Sequence, residues 1–319
     1  MSGKVEQFIS DLSIDKVSYE RGKDLPVRNC YHFSTNGNSV DMMFHDTEDF
    51  KAGMNRIYTL ARKYDIVIIA FVLMDTHVHF LVWGDFDECN KFVHEYVRRT
   101  SMYISTRHGE RKKMRNVEID HQVVNDDFYL KTVICYIVKN PSVGGINSTA
   151  WDYPWSSGPL YFRNSDSWAS PRWLDPSSMT SSELSDRDYF RLLRTRELYD
   201  EDPMMIDGIV FPGEYVPYKL VERVFKSHKS YTFFLSITKE QDVESKGGAI
   251  SRLSIPLQEM AQNKAEECEK LFGVRTVRKL DTTQRLKLAK VLKSKYNCSS
   301  KQIARLSGLV YSEVKDKIS

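Results

Sequence analysis

The sequence predicts an α+β fold: an antiparallel sheet with helices across the first half, followed by a mostly α-helical C-terminal region. Two observations lead there. Between residues 27 and 124 the apolar positions switch between a period of two and a period near 3.6, which reads as strand, helix, strand, strand, helix, strand. That order is ferredoxin-like, with the helices on one face of the sheet. After Trp151 the composition turns to Ser, Pro and Asp, and the last 65 or so residues read as a basic helical tail.

Residues 1–25 are an N-terminal extension in which Phe8, Ile9, Leu12 and Ile14 suit a short helix. Val27 to Ser34 reads as the first strand, closed by Asn36-Gly37-Asn38, residues that tolerate left-handed turn angles. From Glu48 to Tyr64, Phe50, Met54, Ile57 and Leu60 form an apolar helical stripe, with Asp49 or Thr47 as its cap. Asp65 to Met74 is an Ile- and Val-rich strand, and Asp75-Thr76 turns directly into the next strand as a hairpin. A second long helix, from about Asp87 to Arg107, turns Phe92, Val93, Tyr96, Val97 and Ile104 inward and Arg98, Arg99 and Arg107 outward. The basic loop from Gly109 to Arg115 leads to a strand from Val117 to Val124. The following helix starts near Asp126-Asp127, whose carboxylates suit an N-terminus, and Pro141 marks its end. It adds to the ferredoxin-like unit and crosses near the central strands.

Chemistry concentrates in two places. In Phe71-Val72-Leu73-Met74-Asp75-Thr76-His77-Val78-His79-Phe80-Leu81-Val82-Trp83 a strand points His77 and His79 to one face and Val78, Phe80 and Val82 to the other. Two imidazoles on one face are able to hold a metal, although an alternating pair by itself is more often a polar sheet face. In Tyr136-Ile137-Val138-Lys139-Asn140-Pro141, Tyr136 and Asn140 form an i, i+4 pair with Cβ atoms about 6 Å apart on a helix. A phenol and an amide oxygen then face the histidines if this helix packs across their strand. Tyr129, one heptad earlier, has Val133 as its i+4 neighbour, which cannot ligate a metal, so it reads as packing or a contact to a bound partner.

His-hydrophobic-His followed by Tyr-Ile-x-x-Asn-Pro resembles the HUH single-tyrosine transposases, especially the REP-associated branch. Tyr31-His32-Phe33-Ser34-Thr35-Asn36-Gly37-Asn38 resembles that family's opening strand and turn, Phe44 to Phe50 the approach to its first helix, and Tyr153-Pro154-Trp155-Ser156-Ser157 its tail after the tyrosine helix. The resemblance covers about half of the chain and departs at Asp75-Thr76, where the family usually has Pro-Asn, and at Ser142-Val143-Gly144-Gly145, where it usually carries an arginine. It implies an HUH endonuclease-like domain over residues 26–162, with Tyr136 as nucleophile and His77, His79 and Asn140 as ligands of Mg²⁺ or Mn²⁺. A phenol with a pKa near 10 is a poor nucleophile at neutral pH, and a divalent ion on those ligands would make a bound phosphodiester more electrophilic. The implied outcome is a covalent 5′-phosphotyrosine and a free 3′-hydroxyl, which permits rejoining without ATP. The implied partner is single-stranded or hairpin-flanked DNA, and because dimers are common in the wider family a homodimer is a candidate assembly. Arg98, Arg99, Arg111, Lys112 and Lys113 are the side chains to line the strand.

At 319 residues, 41% hydrophobic and 12% aromatic, the chain is long enough for two domains with buried cores. A net charge of +3 argues for no particular partner, but the basic residues cluster from Lys91 to Arg115 and from Arg275 to Lys301, which suits polyanion contact. Cys30, Cys89, Cys135, Cys268 and Cys298 are odd in number and contain no C-x-x-C, which argues against a disulfide framework or zinc knuckle and fits a reducing cytosol. With no apolar run of membrane-spanning length and no signal-peptide core, the expectation is a cytoplasmic protein without membrane contact. Residues 163–185 read as a linker and 186–250 as a helical connecting region, with helices at Asp186 to Tyr199, Tyr218 to Phe225 and Tyr231 to Ile237. Residues 251–319 read as helix-turn-helix-like: Ala304 allows close approach of two helices, Gly308 takes the turn, and Tyr311, Ser312 and Lys315 are placed to reach duplex DNA; the alternative is an ordinary helical hairpin used only for packing.

Two functions compete. One is a metal-dependent nickase and joinase of single-stranded DNA; the other is a catalytically silent, transposase-derived DNA-binding or regulatory protein acting through the tail. Retention of His77, His79, Tyr136 and Asn140 favours the enzyme. A nucleotide hydrolase is weaker, because a histidine triad would need a third alternate histidine where Leu81 stands.

Overall fold

A computed structural model describes residues 2–17, 23–35, 42–109, 117–146, 148–162, 179–198, 201–239, 243, 257–296 and 300–309. The first strand, β1, is Cys30–Thr35; the helix α2, Thr47–Lys63, follows a short N-terminal helix α1, Ser2–Asp11, and that strand. Next come β2 (Ile66–Leu73), β3 (Val78–Gly84), α3 (Phe86–His108), β4 (Ile119–Val123) and α4 (Asp127–Val143). The four strands form one antiparallel sheet in the order β2-β3-β1-β4. The chain is therefore α+β.

Alternation along β3 decides what each face touches. Phe80 points to α3, edge-on to Phe92 at 5.3 Å and Tyr96 at 4.9 Å between ring centroids. His79 points the other way, to α4. In β1, Phe33 likewise meets Phe86 of α3, while His32 meets Tyr136 of α4. Helices α2 and α3 thus cover one face and α4 the opposite one. The β2–β3 hairpin closes through Asp75-Thr76, with Met74 N–H donating to the His77 carbonyl at 2.8 Å. Residues 153–157 run beside β2: Leu73 N–H donates to the Trp155 carbonyl at 2.8 Å and Ser157 N–H to the Phe71 carbonyl at 3.0 Å, which covers an otherwise open sheet edge.

The caps differ from expectation in one case. Asp46, rather than Asp49 or Thr47, accepts the Asp49 N–H at the start of α2. Asp49 is instead fully buried and takes the His45 N–H at 2.8 Å. Asp126 caps α4 by accepting the Tyr129 N–H at 2.6 Å. The helix also runs past Pro141 to Val143, because proline removes only one N–H and Gly144 N–H closes the last turn onto the Asn140 carbonyl at 2.8 Å.

Residues beyond 178 contain more strand than expected. β5 (Met179–Thr180), β6 (Met204–Ile206) and β7 (Ile209–Val210) form a small antiparallel sheet. β5 therefore falls inside the expected linker, and β6 and β7 inside the expected helical region. α5 (Asp186–Leu193) stops before Tyr199 because Arg194 turns left-handed, with φ 55°; α6 (Tyr218–Phe225) and α7 (His228–Ile237) complete the segment. This segment shares one hydrophobic core with the sheet. Asn55 of α2 donates to the Gly208 carbonyl and accepts from Val210 N–H, both at 2.8 Å, and Lys139 of α4 donates to carbonyls at the C-terminal end of α7, Leu235 at 2.6 Å and Thr238 at 2.9 Å.

α8 (Leu257–Phe272), α9 (Thr282–Tyr296) and α10 (Ser300–Ser307) gather a second core that includes Leu288, Leu292, Ile303 and Leu306. Ala304 is buried and Gly308 takes φ 66° after α10. The expected second helix, with Tyr311, Ser312 and Lys315, lies outside the described residues. Among the described residues no helix is long and apolar enough to cross a membrane, and Cys30, Cys89, Cys135 and Cys268 are buried free thiols.

Candidate active site between the sheet and helix α4

His77 sits at the mouth of the hairpin and His79 two residues on, so both rings face α4. One turn apart on α4, Tyr136 and Asn140 meet them. The Asn140 carboxamide lies between the imidazoles, its Oδ1 3.1 Å from His77 Nε2 and its Nδ2 3.2 Å from His79 Nε2. The Tyr136 ring stands edge-on to His79, 5.4 Å between centroids. The structure therefore brings the four residues His77, His79, Tyr136 and Asn140 together.

A fifth residue was not anticipated. His32 of β1 lies opposite Leu81, diagonal to His79, which pairs with Ser34. Its Nε2 is 3.1 Å from His79 Nδ1, and the Tyr136 ring also stands edge-on to it at 5.9 Å. On its far side His32 hydrogen-bonds the Gln122 side chain, whose Oε1 accepts the Tyr129 hydroxyl at 2.6 Å. Tyr129 is thus a buried packing residue, and burial, with the Asp126 charge beyond it, pushes its phenol up to about 12. The signal for His32 was available: it stands in the opening strand, and any antiparallel pairing of that strand with the histidine strand in this register turns it to the same face.

Burial keeps this group neutral. It holds His32 at about 4, with the Gln122 bond opposing, and holds His77 down against the Asn140 bond and the Asp75 charge. His79 falls well below its ordinary value through burial and then its two imidazole neighbours. Neutral imidazoles offer lone pairs at neutral pH. The hydrogen-bond network assigns the protons: Asn140 donates to His79 Nε2, so His79 Nδ1 carries its proton and donates to His32 Nε2. His77 Nδ1 is held by the Thr76 hydroxyl at 2.9 Å. Both Nε2 atoms thus converge on one carboxamide while each Nδ1 is gripped from behind, which is how ligating histidines are oriented. Rotating the amide and shifting the His77 proton to Nδ1 would present two imidazole nitrogens and an amide oxygen to a divalent cation.

Tyr136 is only 4% exposed, against 8% for Asn140. The rings of His32 and His79 stand against its ring, which lies within the layer between sheet and helix.

The basic residues do not join this site. Arg98 and Arg99 lie on α3, in the layer across the sheet from α4, and both pair with Glu95. Arg111, Lys112 and Lys113 lie outside the described residues. In that same opposite layer His45, Asp49 and His108 form a group able to hold a metal ion, each with a ligand atom within 4.8 Å of the others. Burial alone would raise the Asp49 carboxyl, but bonds from His45 and Arg107, with the His108 charge, hold it well below the carboxylate range.

No family model matches the chain, and no curated protein does. Among solved structures the chain is similar to a REP-associated tyrosine transposase bound to a REP hairpin, with a TM-score of 0.32 and 17% identity, over 44% of this chain and 82% of that one.

Proposed function

We propose that the chain is a metal-dependent single-strand DNA endonuclease and transposase of the HUH type, which cleaves and rejoins DNA through Tyr136. The observation that carries this reading is the Asn140 carboxamide lying between His77 Nε2 and His79 Nε2 with the Tyr136 ring against His79. Strand order β2-β3-β1-β4, with two helices on one face, supports a ferredoxin-like core for it. The α4 helix is the added element that carries the nucleophile.

In this reading His77, His79 and Asn140 would hold Mg²⁺ or Mn²⁺, which would supply Lewis acidity to a bound phosphodiester. The Tyr136 oxygen attacks phosphorus and the bond to the 3′-oxygen breaks. The phenol proton leaves to water, the departing 3′-oxygen takes one up, and the 5′-phosphate remains on the tyrosine. Attack by another 3′-hydroxyl reverses these bonds and joins the strands. His32 acts through His79 as a positioning residue: by accepting the Nδ1 proton it fixes the tautomer that leaves Nε2 free. Because Tyr136 is enclosed, its ring must swing off the two imidazoles before it meets a phosphate. Arg98, Arg99, Arg111, Lys112 and Lys113 belong to this proposal as contacts to DNA away from the scissile bond, and Tyr311, Ser312 and Lys315 as contacts of the tail to duplex.

The burial of Tyr136 also favours a second reading, a transposase-derived DNA-binding protein that no longer turns over. Incubation with labelled hairpin-flanked single-stranded DNA and Mn²⁺ separates the two. The enzyme gives an SDS-resistant adduct that Tyr136→Phe abolishes and Tyr129→Phe keeps; the silent protein binds DNA and gives none.

A further inference from the structure

Across the sheet from Tyr136, a cavity of about 720 Å³ opens between α2, α3 and the end of α5. Its lining includes Arg56, Arg98, Arg99, Tyr103, Arg107 and Arg194. Three of the five arginines have carboxylates close by: Arg98 and Arg99 share Glu95, and Arg107 bonds Asp46 and Asp49. Arg56 differs. It is 8% exposed, and its guanidinium donates to the neutral Thr100 hydroxyl at 2.8 Å and lies over the rings of Tyr96 at 5.9 Å and Tyr103 at 5.4 Å. Among the described residues no carboxylate pairs with it. Arg194, on the left-handed turn after α5, lies over the same Tyr103 ring at 5.8 Å.

A buried guanidinium without a counter-charge is costly, and here its burial works against its own charge. The two aromatic faces offset part of that cost. What remains is a cation with no carboxylate partner among the described residues and with further N–H donors, opening on a cavity of the size that takes a small ligand and rimmed by four more guanidinium forks. Guanidinium forks from α2, α3 and the turn after α5 match an anion with several oxygens in different directions, which is phosphate geometry. We infer that this cavity is a phosphate-binding site in which Arg56 and Arg194 hold the phosphoryl oxygens and Tyr103 lines the floor. The site is separate from the His77 and His79 centre and does not depend on the function proposed for it.

The phosphoryl group can come from a free phosphorylated small molecule or from a polynucleotide backbone. Calorimetric titration of the full chain with sodium pyrophosphate, in chloride of matched ionic strength, tests the site, and displacement by an oligothymidylate identifies the source. Pyrophosphate should bind saturably, and Arg56→Met and Arg194→Ala should each weaken it at least tenfold. Tyr136→Phe should bind like the wild type, so a failed endonuclease reading leaves this result standing. Displacement by the oligonucleotide assigns the phosphate to nucleic acid; lack of displacement assigns it to a small molecule, and either outcome supports the site. Arg194 is exposed, so its variant remains informative if Arg56→Met does not fold. Absence of saturable binding by both probes, or binding unchanged in Arg194→Ala, overturns the inference.

Discussion

Asn140→Ala removes the side chain that bridges both imidazoles, and its cost can be worked from the geometry. The wild-type amide oxygen accepts from His77 at 3.1 Å and its nitrogen donates to His79 at 3.2 Å. His79 is fully buried and Asn140 nearly so, which leaves two ring nitrogens without partners in the variant. Each orphaned buried group costs about 1–3 kcal/mol, and water entering the small void returns part of it, so the metal-free loss should be about 2–4 kcal/mol. For a cooperative unit of this size that lowers Tm by roughly 3–6 °C. Metal adds a second readout. At a free Mn²⁺ concentration a hundred times the dissociation constant, the wild type should gain about 2.7 kcal/mol, and a variant lacking one of three ligands should gain less than about 1 kcal/mol. Urea unfolding followed by circular dichroism, with EDTA and with excess MnCl₂, measures both. A variant that keeps the whole metal gain, or loses less than about 0.5 kcal/mol without metal, refutes the bridging role.

Other outcomes follow from neighbouring contacts. His32→Ala removes the acceptor behind His79 and should weaken Mn²⁺ binding about 10–100-fold by calorimetry while all three ligands remain. Asp49→Asn should cost about 3 kcal/mol at pH 7, since it leaves Arg107 and His108 facing a neutral buried amide. The Asp49 carboxyl is depressed in the folded state, so its contribution is present above the ordinary carboxylate pKa and fades as pH falls through the folded value; the urea-midpoint gap between variant and wild type should therefore narrow on acidification. Gly158→Ala sets a Cβ 1.9 Å from the Ala150 carbonyl oxygen and should pry residues 153–157 off β2, costing about 2 kcal/mol and speeding amide exchange at Phe71 and Leu73.

What could be read in the chain was what local spacing encodes. Histidines two apart on a strand and a Tyr–Asn pair four apart on a helix each define one face, and their meeting required only that α4 cross β3. His32 escaped because it has no alternate histidine of its own; its role appears only through the register that sets Ser34 opposite His79. The buried polar side of α2 escaped for a similar reason. Asn55, Arg56, Tyr58 and Thr59 look like a solvated face, yet all four are buried: Asn55 and Tyr58 bond Leu192, Gly208, Val210 and Glu201, well over a hundred residues away in sequence, and Arg56 bonds Thr100 of α3. Strands of two or three residues such as β5, β6 and β7 carry too little periodicity to be seen. The Asp46 cap was missed because Thr47 and Asp49 are equally good capping types, and only the fold assigns Asp49 to Arg107 and His108 instead.

Mass spectrometry of the protein–DNA adduct tests the central claim most directly. After reaction with hairpin-flanked single-stranded DNA and Mn²⁺, nuclease trimming and trypsin, the peptide from Thr132 to Lys139 contains Tyr136 as its only tyrosine, while Tyr129 falls in the preceding peptide. A nucleotide mass on Tyr136 is the predicted result. A nucleotide on any other residue, or no adduct with any divalent metal, would contradict it.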